Sequence, residues 1–337
     1  MITPLFEPLP HDIWCIDTGL YRPGLAACYL IRGGNGRLAF IDTGTSHTVP
    51  LLMATLAALG LSPNQVDFVI PTHVHLDHAG GAGALMQQCP QAKLAIHPKG
   101  AGHMIDPTRL TAGAIAVYGE AEFAAAFGTV AAVPEILVVP LEDGAEIDLG
   151  GRTLRFLDTP GHANHHGCLY DSASRGCFTG DTFGIAYREL YSAAGPYLFA
   201  PTTPVAFDPE AWQTSLDRLM ALEPQAMYLT HYGRIDQPAA LVETLRRSIR
   251  DHAAMALAAA NPDRSQGPES RLDRLRSAVA AYLISGVRTH GCALDEARIR
   301  EVLAVDLDLN AQGLEVWLVR QERKGPRVEQ GPGAPAS

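Results

Sequence analysis

Within six residues, 73 to 78, the segment Thr72-His73-Val74-His75-Leu76-Asp77-His78-Ala79-Gly80-Gly81 places three imidazoles and a carboxylate. That is a donor set for metal ions. In extended backbone His73 and His75 face the same side, because side chains repeat every two residues. Their rings can therefore converge on one cation. Asp77 and His78 follow where the chain turns into a helix and can face a second cation nearby. Gly80 and Gly81 let that turn pass close to the metals. A lone His-x-His is weak evidence, since single histidines are commonly solvated or packed in a core. This density, just after the β-rich run Val66 to Ile70, is strong evidence.

Three later elements add donors at strand ends. Asp158-Thr159-Pro160-Gly161-His162 places a histidine after a strand and a tight turn. Thr179-Gly180-Asp181-Thr182 does the same with an aspartate, and Thr230-His231-Tyr232-Gly233 with another histidine. A sheet fixes the position of groups at its strand ends, which a rigid metal site requires. Each of the three alone reads as an ordinary loop residue; their joint occurrence does not. No Ser-His-Asp order and no G-x-S-x-G elbow is present, so a protein nucleophile is unnecessary.

Together these residues resemble the metallo-β-lactamase superfamily over Ile13 to Gly233. The resemblance implies an αβ/βα sandwich with two metals at one edge. It implies that His73, His75 and His162 bind the first metal and Asp77, His78 and His231 the second, with Asp181 bridging both. Ile41-Asp42-Thr43-Gly44 matches the family's Asp-Thr-Gly turn, where the aspartate supports the site without binding metal; as a turn residue Asp42 also reads as a capping side chain. Asp77 would serve as a ligand and as a proton acceptor. Histidine and carboxylate donors accept zinc, the first expectation, and also iron or manganese.

Two divalent cations, two aspartates and one hydroxide leave about one net positive charge, suited to polarising a carbonyl and holding an anionic intermediate. A metal lowers the pKa of its water to about 7, so hydroxide is available at neutral pH. The expected activity is hydrolysis of an ester-like acyl bond by this hydroxide, with a thioester first. A lactone or phosphodiester on the same site, a di-iron oxidoreductase, and a binding or regulatory protein with little turnover are the alternatives. The residual positive charge would favour substrates bearing carboxylate or phosphate groups. His162-Ala163-Asn164-His165-His166-Gly167 is similar to the glyoxalase II pattern, with His166 as a supporting second histidine or a packed side chain. In the loop after Asp181, Tyr187 and Arg188 are candidate substrate contacts; a surface loop with Arg188 balanced by Glu189 is the plainer reading.

Composition bounds the partners. A formal net charge of −10 over 337 residues leaves no broad basic surface for nucleic acid or anionic lipid. Arg246, Arg247 and Arg250 read as one solvated helix face. The start, MITPLFEPLPHDIW, has no basic-then-apolar secretory pattern, and no run of about 18 apolar residues suggests a membrane span. A cytoplasmic protein with a small-molecule substrate follows as the default; the sequence carries no signal for an oligomeric state. Six scattered cysteines, without C-x-x-C spacing, read as buried reduced thiols.

The elements that must position the donors follow from pattern. Ala26 to Arg32 and Arg37 to Asp42 flank Gly33 to Gly36 as a hairpin. Thr48 to Leu59, about Gly81 to Cys89, and Thr108 to Phe127 read as helices. Ile136 to Val139, Ala145 to Leu149, Arg152 to Asp158, Gly167 to Tyr170 and Gly176 to Thr179 read as strands, before a helix, Pro209 to Leu222, and a strand, Ala226 to Thr230. The class is α/β (α+β), a four-layer αβ/βα sandwich with a C-terminal helical region. Residues 1–235 form the catalytic domain. Residues 236–323 form helices packed on it, starting with Pro238 to Ala260 and including Leu294 to Val305. A polar turn, Asn261 to Pro268, separates the first two. Leu314, Trp317 and Leu318 suggest a last helix with Trp317 in the core, although Val316 and Val319 leave a strand open. Residues 324–337, rich in Pro and Gly, form a disordered tail.

Overall fold

A computed structural model describes residues 3–260 and 270–324. The polar turn expected at 261–268 and the tail beyond Lys324 lie outside the described residues. The first sheet has seven strands in sequential order: β1 (Phe6–Leu9), β2 (Ile13–Asp17), β3 (Ala27–Arg32), β4 (Leu38–Ile41), β5 (Val66–Ile70), β6 (Lys93–Ile96) and β7 (Val138–Pro140). β1 to β4 pair antiparallel, and β4 to β7 pair parallel. The second sheet comprises β8 (Glu146–Asp148), β9 (Thr153–Asp158), β10 (Gly167–Asp171), β11 (Gly176–Gly180), β12 (Ala226–Leu229) and β13 (Gly233–Asp236). It too runs in sequential order, and only β11 and β12 pair parallel.

Both sheets are covered on both faces, so their strands alternate between two cores. In β2, Ile13 and Cys15 join the inter-sheet core with Tyr29, Ile41, Phe156, Phe178 and Tyr228. Trp14 and Ile16 of the same strand face outward, into a second core. That core is completed by α1 (Val49–Ala58), α3 (Ala82–Gln88) and α4 (Pro98–Ile105). The outer face of the second sheet meets α7 (Pro209–Met220) and the later helices α8 (Pro238–Ala260), α9 (Arg271–Thr289), α10 (Glu296–Val302) and α11 (Ala304–Lys324). The result is the four-layer αβ/βα sandwich with its helical C-terminal region. Helices, sheet, sheet and helices stack in that order. None of the described helices is long and apolar enough to cross a membrane.

Some boundaries differ from expectation for identifiable reasons. The helix expected over 108–127 divides into α5 (Thr108–Tyr118) and α6 (Glu120–Ala126), because Gly119 sits at φ +81° and breaks the hydrogen-bond ladder. Leu294 to Val305 likewise divides, at Leu303, into α10 and the first turn of α11. Residues 314 to 319 are helical, and Trp317 is buried in the core. Arg246 is not freely solvated: it bonds Gln213 and pairs with Asp217, joining α7 to α8. Five of the six cysteines are buried and none is in a disulfide; burial pushes the thiols of Cys15 and Cys168 up to about 12.

One buried ion pair ties the sheets together. Arg152 grips Asp171 with two hydrogen bonds of 2.8 and 2.6 Å inside the second sheet. Its remaining donor reaches the carbonyls of His11 and Arg32 at the first. Removing one partner of a buried pair leaves the other charge uncompensated. Arg152→Leu is therefore expected to cost about 3–5 kcal/mol in stability, measured by denaturant unfolding. A loss below about 1 kcal/mol, the value of a surface pair, would contradict this account.

Candidate metal centre

Strands β4, β5, β9, β11 and β12 all end at one edge of the sandwich, because β4 runs parallel to β5, and β11 parallel to both β12 and β9. Each of these ends delivers a polar side chain. Asp42 follows β4, Asp181 follows β11, and His231 lies two residues beyond β12. His162 lies in the turn after β9. After β5 the backbone at Thr72 to His75 is an irregular loop and not extended strand. The rings of His73 and His75 still meet, at 4.4 Å between centroids. The one-turn helix α2 (Leu76–Ala79) then carries Asp77 and His78. Gly81 is needed elsewhere than expected: a Cβ there would lie 2.6 Å from the Thr45 carbonyl oxygen, so its close approach is to the loop after β4 and not to the metal donors.

The seven residues fall into two adjoining groups. Donor atoms of His73, His75, His162 and Asp181 lie within 4.8 Å of one another, and those of Asp77, His78 and His231 do likewise. The Asp181 carboxylate faces both. Its Oδ2 is 3.2 Å from His162 Nε2, while its Oδ1 is 3.2 Å from His78 Nε2 and 3.5 Å from His231 Nε2. Asp77 Oδ2 is 3.2 Å from His231 Nε2 and 3.5 Å from His78 Nε2. His75 Nδ1 lies 3.1 Å from His162 Nε2.

The outward nitrogens of these rings are fixed. His162 Nδ1 donates to the Pro201 carbonyl at 2.9 Å, and His231 Nδ1 to the Leu25 carbonyl at 2.8 Å. His78 Nδ1 donates to Asp42 at 2.7 Å. A carbonyl or carboxylate can only accept, so Nδ1 carries hydrogen in all three and the Nε2 lone pair of the neutral ring faces inward. The carboxylate of Asp42 also accepts from the Thr72 backbone at 2.7 Å and from the Thr72 and Thr230 hydroxyls. It thus holds three donor-bearing segments at once, from a left-handed backbone position at φ +55°. His166 is buried; its Nε2 accepts the Asp181 backbone N–H at 3.2 Å, and its Nδ1 lies 3.1 Å from the hydroxyls of Thr159 and Thr182. Gly180 permits this packing, since a Cβ there would fall 2.4 Å from the Thr72 hydroxyl and 2.8 Å from His166 Nε2.

The donor set fits cations. Burial, and then the neighbouring imidazoles, hold His73 and His75 well below the usual histidine range. Burial also lowers His162, against the pull of Asp181. These rings are neutral, as metal ligands must be. Burial opposes charge on Asp77 and Asp181, yet the facing histidines outweigh it and keep both carboxylates ionised. Burial likewise disfavours charge on His78 and His231. The carboxylates reverse this, placing His78 well above its usual range and His231 at about 9. A cation held there would displace these protons from Nε2, because only the neutral ring offers its lone pair to a metal. His73 Nε2 is buried with no hydrogen-bond partner, an orphan that a cation would satisfy.

Beside the donors lies a cavity of about 300 Å³, whose wall includes His75, Asp77, Asp181 and His231. Tyr187 lines it as well. Arg188 does not: its guanidinium pairs with Glu7 at 2.6 Å and covers the Tyr232 ring, while Glu189 pairs with Arg22. The internal Arg188–Glu189 balance is therefore corrected, and of the two residues expected to meet substrate only Tyr187 lines this cavity. The loop is tied to β1 and to the turn after β2. Two residues of α11 add to the site beyond those expected from the sequence. Asp306 lines the cavity and accepts the Tyr187 hydroxyl at 3.2 Å. Asn310 accepts the Thr202 backbone N–H at 2.8 Å, next to the Pro201 carbonyl that orients His162. The available signal is their spacing: Leu303, Asp306, Asn310, Leu314 and Trp317 share one helical stripe that is otherwise apolar.

A family model described as the metallo-beta-lactamase superfamily matches residues 21–231. The metallo-beta-lactamase fold-containing protein ST1585 of Sulfurisphaera tokodaii is 27% identical over 231 residues, 67% of this chain and 80% of that protein. The crystal structure of ST1585 from Sulfolobus tokodaii matches with a TM-score of 0.63 at 22% identity, over 91% of this chain and 99% of that one. A hydroxyacylglutathione hydrolase of Aeromonas hydrophila is 30% identical over 204 residues, which are 60% of this chain and 59% of that protein. An atrochrysone carboxyl ACP thioesterase of Aspergillus fumigatus is 27% identical over 157 residues, 45% of this chain and 28% of that protein.

Two expectations follow from this geometry. Asp42→Asn keeps the shape but weakens the acceptor that orients His78, so affinity for the second metal should fall about 10- to 100-fold, as for other residues that support metal-binding histidines. Metal titration by calorimetry checks it, and an unchanged second affinity would remove Asp42 from the site. The second concerns Asp306, which burial raises from 3.8 to about 7 against the opposing influence of His231, Tyr187 and Arg22. The folded protein then binds the extra proton between these values. Stability should accordingly fall as pH rises through that window, and stay reduced above it. Asp306→Asn should flatten this part of the thermal-midpoint profile, measured from pH 4 to 8.

Proposed function

Because this chain belongs to the metallo-beta-lactamase superfamily and is a metal-dependent hydrolase, we propose that it cleaves an ester-like acyl bond, a thioester in the first place, at a two-metal centre. His73, His75 and His162 would hold one cation, Asp77, His78 and His231 the other, and Asp181 both. The reading rests on one observation above all: the single Asp181 carboxylate turns one oxygen to each donor group, at the head of a cavity large enough for a small-molecule substrate. Two divalent cations held there, zinc first and iron or manganese by the same donors, supply Lewis acidity and let water ionise near neutral pH.

The chain's own residues account for the remaining steps. Pro201, Leu25 and Asp42 fix the inward lone pairs of His162, His231 and His78, so the donors need no rearrangement before the reaction. His166 holds the Asp181 backbone from behind. Asp77 is only half-buried and stands on the cavity wall, where its carboxylate can accept a proton from the attacking water. A thiolate leaves without prior protonation, so an acyl thioester asks little more of the site than a delivered nucleophile and a held oxyanion. One of the relatives bears the name of a thioesterase, which favours the same bond. A phosphodiester would call for cations around its anionic ends, and Arg109 is the only lysine or arginine on the cavity wall among the described residues.

The test is kcat/KM for matched thioester, lactone and phosphodiester substrates on metal-replete protein. Thioesters are expected to be cleaved best. A lactone or phosphodiester cleaved at least about tenfold better than every thioester, a gap of about 1.4 kcal/mol in transition-state stabilisation, would displace the thioesterase reading and leave the hydrolase intact.

A further inference from the structure

The wall of the cavity away from the donors is built from helices α5 and α11 and the loop before α7, and it is apolar. Leu110, Ala114 and Val117 come from α5, Val305 and Leu309 from α11, and Val205 from the loop. The apolar surface continues outward. Tyr21 and Val205 are among the few large hydrophobic side chains left exposed in the described chain, at 46% and 62%, and both belong to this cavity. Exposed apolar side chains grouped at the mouth of an apolar cavity mark a binding surface. Charge is scarce. The carboxylates of Asp77 and Asp181 belong to the donor set, Asp306 accepts the Tyr187 hydroxyl on one oxygen and leaves the other buried without a partner, and Arg109 is the one lysine or arginine among the described lining residues. The net positive charge expected of the centre therefore has no basic surroundings to extend it. Apart from Arg109 on α5 and the rings of His103 and His165, nothing in this wall would compensate the desolvation of a carboxylate or phosphate carried on the acyl group.

From these observations, and resting on the thioesterase reading above, we propose that the acyl group of the substrate is an uncharged hydrocarbon chain or ring lying between α5 and α11. About 300 Å³ holds roughly ten water-sized groups, so the chain is of medium length. In the reaction water adds its oxygen to the acyl carbon, the carbon–sulfur bond breaks, and one proton of the water goes to the departing sulfur. A carboxylic acid and a thiol result, with no redox change. Helices α5 and α11 thus select the substrate, and the sandwich edge carries out the cleavage.

The experiment uses straight-chain acyl thioesters of two to fourteen carbons on one uncharged thiol, N-acetylcysteamine, with the metal-replete protein. Each methylene that enters the cavity should raise kcat/KM about fourfold, until the cavity is full and the curve flattens. A flat or falling dependence, or a preference for a hydroxylated or carboxylated acyl group of equal length, overturns the proposal. Ala114→Phe, placed on the half-buried face of α5, should lower the ratio of decanoyl to acetyl turnover at least about tenfold. Calorimetry with alkyl methyl ketones, which cannot be hydrolysed, keeps the two readings apart. If no thioester is cleaved but ketone affinity rises with chain length in the wild type and not in Ala114→Phe, the apolar site stands and the thioesterase reading fails. If thioesters are cleaved without regard to length and the ketones do not bind, the outcome is reversed.

Discussion

The buried carboxylate of Asp42 is the interaction on which the site depends. It touches no metal donor atom that faces inward, yet it accepts from Thr72, His78 and Thr230, three segments that arrive from β5, α2 and β12. A buried anion costs several kcal/mol unless hydrogen bonds replace its water. Here the replacement donors are themselves parts of the site, so the cost of burying one charge is met by fixing the two sheets in register at their shared edge. The backbone at Asp42 leaves β4 in the left-handed region, and from there its side chain reaches all three segments.

The same logic organises the outer partners of the imidazoles. Each neutral ring has one nitrogen to give to a metal and one N–H to place elsewhere, and a ring with an unplaced N–H would be free to flip. Leu25 and Pro201 each offer a backbone carbonyl for this purpose, one from the loop between β2 and β3 and the other from the long connection before α7. Loops that cross the edge of a sandwich usually expose their carbonyls to water. In this chain two of them face inward, and the geometry of the donors is thereby written into segments far from any donor in sequence.

How much of this is legible in the sequence follows from which groups advertise themselves. The donors do, because histidines and aspartates clustered at successive strand ends seldom serve anything but a metal. Long amphipathic helices such as α8 and α9 do, through their spacing. The strands β1, β2, β6 and β13 carry no such signal. β2, buried on both faces, shows no polar alternation; the others are only four residues long. The break at Gly119 is hidden because a single glycine inside an alanine-rich run costs a helix only about 1 kcal/mol. Arg188 misleads for a different reason: its partner, Glu7, is 181 residues away, and no local pattern records a pairing of that kind. Asp306 and Asn310 are polar residues on a buried stripe, visible in principle once α11 is drawn as a helix.

Those two residues change what the helical region is for. Asn310 accepts the Thr202 backbone N–H through its side chain and the Thr202 hydroxyl through its own carbonyl. Ser248 of α8 accepts the N–H of Ala200 from the other side. Residue 201, between them, is the proline whose carbonyl orients His162. Gly313 allows the helix to come this near, since a Cβ there would overlap the Thr202 carbonyl oxygen at 1.6 Å. A chain of short contacts therefore runs from α11 through one loop to the ring of His162 in the candidate metal centre. Four residues earlier on the same helix, Asp306 holds Tyr187 at the cavity wall. Apolar packing against α7 and the second sheet explains why the helices dock where they do. These polar contacts explain why docking matters to the site: the edge of the sandwich brings the donors together, and α11 completes the alignment of one of them and the wall beside it.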